Sequence, residues 1–160
     1  MKIKANTPMM VFRYNNYQKK NFILEHSEVL KKNDYVWMLK SGKKSSEEKI
    51  SNVLENGGYM ILKAPKAEGG ETYIAKFVET TEKTPKDKNY PKYYENILYE
   101  TKYSYRETFS QWFKVVKISK LDYNNIDKLV LLKGKKPLSE ILNNCMTAVM
   151  FVENVSDMEI

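Results

Sequence analysis

Cysteine, histidine and arginine are nearly missing from this chain of 160 residues, which holds one Cys, one His and, among 27 basic side chains, two arginines, Arg13 and Arg106. Each scarcity closes off a class of chemistry. A lone thiol, Cys145, forms neither an internal disulfide nor a zinc cluster, and its apolar neighbours up to Val152 mark it as a small buried hydrophobe. His26 has no second histidine or nearby cysteine, so zinc sites and serine-type triads both lack parts and no metal site is expected. The glycine pair Gly69-Gly70 stands in neither a Gly-x-Gly-x-x-Gly nor a Gly-Lys-Ser/Thr context, which argues against a nucleotide cradle and leaves no cofactor expected. No apolar run approaches the roughly eighteen residues of a membrane span, and the opening Met-Lys-Ile-Lys-Ala-Asn-Thr-Pro lacks an apolar leader core. The expectation is a reducing, cytoplasmic setting away from membranes.

What is abundant is lysine and tyrosine. The formal charge is +7, and removing two arginines from 27 bases leaves 25 lysines. Lysines attract polyanions as point charges, whereas the planar fork that grips a phosphate or guanine in two places belongs to arginine. The charge thus favours backbone attraction to RNA or DNA over arginine-based sequence readout. A merely soluble, lysine-rich surface explains the same excess equally well. At 42% hydrophobic and 29% charged the composition is globular, and 160 residues suit a single domain, 1–160, with a real core.

Periodicity predicts the elements. Met9 to Tyr14 reads as a strand and Asn21 to Lys32 as a helix ended by Asn33-Asp34. From Tyr35 to Lys40, Tyr35, Trp37 and Leu39 share one face and Val36 and Met38 the other, so that strand is expected to be covered on both sides. Ser45 with Glu48 makes a capping box for a helix buried through Ile50, Val53 and Leu54 and stopped by Gly57-Gly58. Tyr59 to Lys63 and Thr72 to Glu79 are expected to pair antiparallel. Residues 80–108 form a tyrosine/lysine-rich insertion or loop. Trp112 to Leu121 is a strand, Asn124 to Leu129 one or two helical turns, Pro137 to Asn144 a short helix, and Cys145 to Glu153 the last strand. Strands with short interposed helices predict an α+β fold, a small mixed and mostly antiparallel β-barrel with short capping helices, rather than a doubly wound sheet.

In this order of elements, Tyr35 to Glu153 resembles the PUA-like superfamily, the pseudo-barrel group with ASCH, EVE and YTH domains. The stretch Gly42-Lys43-Lys44-Ser45-Ser46-Glu47-Glu48-Lys49 is similar to the ASCH signature Gly-x-Lys-x-x-Glu-x-Arg, with Lys49 in the arginine's place and the motif after a strand. The Tyr35-Val36-Trp37 strand, the Gly-Gly before Tyr59 and the Trp112-Phe113 strand resemble the layout of EVE-type base readers. The resemblance implies a PUA-like pseudo-barrel that recognises a nucleobase, plain or modified.

Three functions compete. In the first, Trp37, Tyr59, Tyr73 and Trp112 wall a pocket that stacks a base, while Lys40, Gly42, Lys43 and Lys44 before a helix start hold a phosphate. Such aromatics are more often core, and such a turn is more often simply solvated. In the second, the tyrosines of the insertion anchor a protein partner or a homodimer, a non-catalytic use in which Glu95, Glu100 and Glu107 dilute the positive charge. In the third, the ASCH resemblance implies an amidohydrolase acting on an acylated cytidine-type nucleoside, with Lys44, Ser45 and Glu47 in the catalytic roles. That chemistry requires a desolvated lysine. The first reading, binding without catalysis, is preferred.

Overall fold

Apolar residues recur along this chain at strand and helix spacings, and the backbone of the computed structural model follows them. It describes residues 1–14, 16, 20–41, 44–64, 71–102, 110–142 and 148–160. The elements are β1 (Lys2–Ile3), β2 (Pro8–Arg13), α1 (Phe22–Asn33), β3 (Val36–Ser41), α2 (Glu47–Glu55), β4 (Tyr59–Lys63), β5 (Thr72–Thr81), α3 (Tyr94–Lys102), β6 (Ser110–Leu121), a 3-10 helix (Tyr123–Lys128), β7 (Leu129–Leu131), α4 (Leu138–Ile141), β8 (Val149–Asn154) and β9 (Met158–Glu159). The protein is mixed α+β with mostly antiparallel pairing. It divides into two compact units: Met1–Asn15, Glu47–Lys76 and Ile118–Ile160 form the first, Asn16–Ser46 and Phe77–Lys117 the second.

In the first unit the strand order is β5-β4-β2-β8-β7. The β2–β4 pair is parallel and the others antiparallel. Strand alternation sends Met9, Val11, Ile61, Ile74, Met150 and Val152 to one face, where Ile126, Leu129 and Leu138 join them in a buried cluster. Met10, Met60 and Leu62 occupy the opposite face, fully buried. Helix α2 packs on β2 and buries Ile50 and Val53. It begins at Glu47, two residues past Ser45. Gly57 sits at φ +115°, and a Cβ there would meet the Tyr59 ring at 2.5 Å. The helix stop therefore needs glycine both for its backbone angle and for the ring packed against it.

Asn154 stitches the small β1–β9 sheet to this core. Its Nδ2 donates to the carbonyls of Ile3 (3.3 Å), Lys4 (2.9 Å) and Ser156 (2.9 Å), and its Oδ1 accepts from the Thr7 amide (2.9 Å). A fully buried amide with so many partners is well satisfied.

The second unit is built on the antiparallel pair β3–β6, in register from Val36↔Val115 to Ser41↔Ser110, with α1 packed on β3. Asn21 caps α1 by accepting from the Leu24 amide (3.0 Å), and Asp34 ends it in the left-handed region at φ 66°. Val36 through Lys40 are all buried, as a strand apolar on both faces requires.

Candidate functional site

Trp37, Leu39 and Trp112 share one face of β3–β6, since Leu39 lies opposite Trp112 and Trp37 opposite Lys114. Tyr90, Tyr93 and Tyr94 pack on them in a single cluster. The Trp112 ring lies 5.3 Å from Tyr90 and 5.8 Å from Tyr94, the second contact edge-on, as aromatic quadrupoles favour. Trp37 is 6% exposed and Trp112 0%, so the two indoles do come together, but as the core of the second unit and not as an open wall. The insertion supplies that core: its three tyrosines are inward, and Tyr99, at 67% exposed, is the one left facing solvent among its described residues. Tyr103, Tyr105 and Arg106 lie outside the described residues.

Asp87 ties the loop before α3 to β3. One of its oxygens, Oδ2, accepts from Tyr35 Oη (2.6 Å) and Trp37 Nε1 (3.3 Å), while Oδ1 accepts from the Asn89 amide (3.0 Å). Partial burial opposes ionisation of this carboxyl, but the bonds from Tyr35, Asn89 and Trp37 and the nearby charge of Lys114 outweigh it and hold its pKa below the usual range. The Lys114 ammonium sits 4.4 Å from the Tyr35 ring centroid and completes the arrangement. These polar groups brace the loop.

Tyr59 and Tyr73 belong to the first unit, and the ladder separates them. Tyr73 lies opposite Leu62 and Tyr59 opposite Lys76, which puts the two rings on opposite faces of the sheet. Tyr59 is buried at 8% exposed and Tyr73 is half-buried, its hydroxyl donating to Glu71 (2.8 Å). Of the four rings expected to wall a base pocket, Tyr59 and Tyr73 are turned to opposite faces of their own sheet by a register that the sequence did not show.

The lysine turn changes character as well. Lys40 is 6% exposed, and burial holds its amine below the usual lysine range. Lys44 is half-buried and ion-paired with Glu82, Ser45 donates its amide to Gln111 Oε1 (3.3 Å), and Glu47 is exposed in the first turn of α2. Gly42 and Lys43 lie outside the described residues. Among the described lysines of this stretch, Lys40 is buried and Lys44 is ion-paired with Glu82.

A second cationic place emerges in the first unit. The parallel register sets Arg13 beside Lys63 at the ends of β2 and β4, on the face of Val11 and Ile61. Burial and the charge of Arg13 both push the Lys63 amine below its usual range. Lys63 Nζ stands 5.6 Å from the centroid of Tyr123, a ring 56% exposed. Sequence reasoning marked Arg13 as a potential fork but missed Lys63 and Tyr123. What joins them is strand pairing across about 50 residues, for which the sequence carries no local signal.

Comparison with family models, curated proteins and solved structures finds no match for the chain. Among the described residues no group of three or more His, Cys, Asp or Glu could hold a metal ion, and no helix is long and apolar enough to cross a membrane.

Proposed function

We propose that the protein is a non-catalytic nucleic-acid-binding domain of the PUA-like kind, whose sheet belongs to a small pseudo-barrel, and that it holds a strand by its phosphates with one base laid on an exposed tyrosine. The supporting observation is the adjacency of Arg13 and Lys63 on neighbouring strands, with the lysine ammonium over the accessible Tyr123 ring. Phosphate affinity needs clustered cations, and sequence-tolerant stacking needs an exposed π-face, worth about 1–3 kcal/mol per base. The buried indoles offer no such face. Net charge of +7 adds long-range attraction for a polyanion.

Titration with single-stranded RNA and DNA at low and near-physiological salt tests this reading. Binding should be detectable at about 50 mM salt and weaken steeply toward 200 mM, as released counterions demand. Absence of binding to any strand at the lower salt contradicts the proposal.

One observation keeps the amidohydrolase reading as a second proposal: the buried Lys40 amine with its lowered pKa, the kind of group that activates a hydroxyl or carbonyl. Hydrolysis of an N-acylated cytidine by the wild type and its loss in Lys40→Met would support it. An inert wild type removes it.

A further inference from the structure

Arg13, Lys63 and Thr72 stand in one row across β2, β4 and β5, because Arg13 is in register with Lys63 and Lys63 with Thr72. Neighbouring strands are about 4.8 Å apart, so three side chains in such a row reach a common point on their shared face. Apolar residues fill this face one step further along each strand, at Val11, Ile61 and Ile74. The row thus marks where the core gives way to charge.

Its backbone is held on both sides. The Arg13 amide donates to Ala148 O (2.8 Å) and the Tyr14 amide to Lys63 O (3.1 Å). Thr72 is 3% exposed, and its Oγ1 has no hydrogen-bond partner among the described residues. A buried hydroxyl left so is unfavourable, and an oxygen atom entering beside Lys63 would relieve it. Among the described residues, two nearby acids, Glu71 and Asp122, have partners of their own. Glu71 takes Lys120 Nζ (2.8 Å) and the Tyr73 hydroxyl (2.8 Å), and Asp122 caps the 3-10 helix through the Asn124 amide (3.0 Å).

Two cations side by side repel each other and match a dianion better than a single negative charge. An internal phosphodiester carries one charge, whereas a phosphomonoester carries about −1.5 to −2 and offers three acceptor oxygens. The arginine fork engages two oxygens at once, and the lysine and the hydroxyl supply further donors. Tyr123, next to Lys63, presents a ring where the sugar and base attached to such a phosphate would lie.

We infer that Arg13, Lys63 and Thr72 form a phosphomonoester site, flanked by Tyr123 as a stacking platform, that selects the phosphorylated end of a strand. The inference rests on the nucleic-acid reading for its ligand, though the same chemistry is carried by a free nucleoside monophosphate.

The test compares a 3′-labelled oligonucleotide with and without a 5′-phosphate, alongside a nucleoside 5′-monophosphate and inorganic phosphate followed by amide chemical shifts. The phosphorylated strand should bind about tenfold more tightly than its hydroxyl twin, the value of one added charged contact. Arg13→Gln and Lys63→Gln should each erase that preference while keeping the wild-type circular dichroism and melting temperature. Tyr123→Leu should weaken both strands and retain the preference. Equal affinity of the wild type for the two strands overturns the inference and leaves general nucleic-acid binding standing. If neither strand binds, the nucleic-acid reading fails; the site itself is then upheld by monophosphate or phosphate shifts lost in Arg13→Gln, and overturned by their absence in the wild type.

Discussion

His26 and Tyr94, 68 residues apart in the chain, share a buried hydrogen bond of 2.5 Å from the tyrosine hydroxyl to Nε2. The direction follows from the neighbours. His26 Nδ1 lies 2.7 Å from the Phe22 carbonyl and must donate to it, so Nε2 accepts, and the Tyr94 oxygen in turn accepts the Leu39 amide at 3.3 Å. This chain links α1, α3 and β3 of the second unit and satisfies the only histidine in the protein. Tyr94→Phe removes its middle member and leaves an amide and a ring nitrogen unpaired. Loss of roughly 2 kcal/mol is expected in urea unfolding, and a variant as stable as the wild type contradicts the network.

The same histidine sets a pH dependence. Burial lowers its pKa from 6.5 to about 4, against the raising effect of the Phe22 bond, so the folded protein holds it neutral. Between those two values the unfolded chain binds the proton and the folded one does not, and stability therefore falls as pH drops. A loss of about 2 kcal/mol is expected from pH 7 to pH 5. His26→Gln should lower stability overall but flatten that slope. Equal slopes in both proteins rule out His26 as its source.

Sealing of the two indoles has an optical consequence. Emission should be blue-shifted and weakly quenched by acrylamide, because Trp37 and Trp112 are 6% and 0% exposed. Strong quenching, of the degree shown by a free indole, contradicts the aromatic core.

Asn154 is expected to matter more than its place near the chain end suggests. Asn154→Leu strands the Thr7 amide and the carbonyls of Ile3, Lys4 and Ser156, and roughly 3 kcal/mol of stability should go with them. Hydrogen exchange should locate the loosening in β1 and β9. A variant that exchanges like the wild type there contradicts the role of this side chain.

Local patterns in the sequence specify much of the fold. Asn21 and Asp34 frame α1, alternation in Val36 to Lys40 announces a strand covered on both faces, and Tyr59–Lys63 with Thr72 onward pairs antiparallel as expected. The short strands β1, β7 and β9 escaped, since two or three residues carry no readable period. The tyrosine-rich stretch was ambiguous because tyrosine suits a core and a surface alike; Tyr90, Tyr93 and Tyr94 turn out to be the core. The candidate site was less legible than the fold. Two rings that look equivalent along the chain, Tyr59 and Tyr73, face opposite ways, and Arg13 meets Lys63 through a parallel register that only tertiary structure reveals.

The most direct measurement is the salt dependence of single-strand binding by the wild type and by the double variant Arg13→Gln/Lys63→Gln. For single strands the slope of log affinity against log salt is about −0.7 per neutralised phosphate, so removing both cations should weaken binding and flatten the slope by up to about 1.4. A double variant that keeps both the wild-type affinity and the wild-type slope places the nucleic-acid contact elsewhere and contradicts the account.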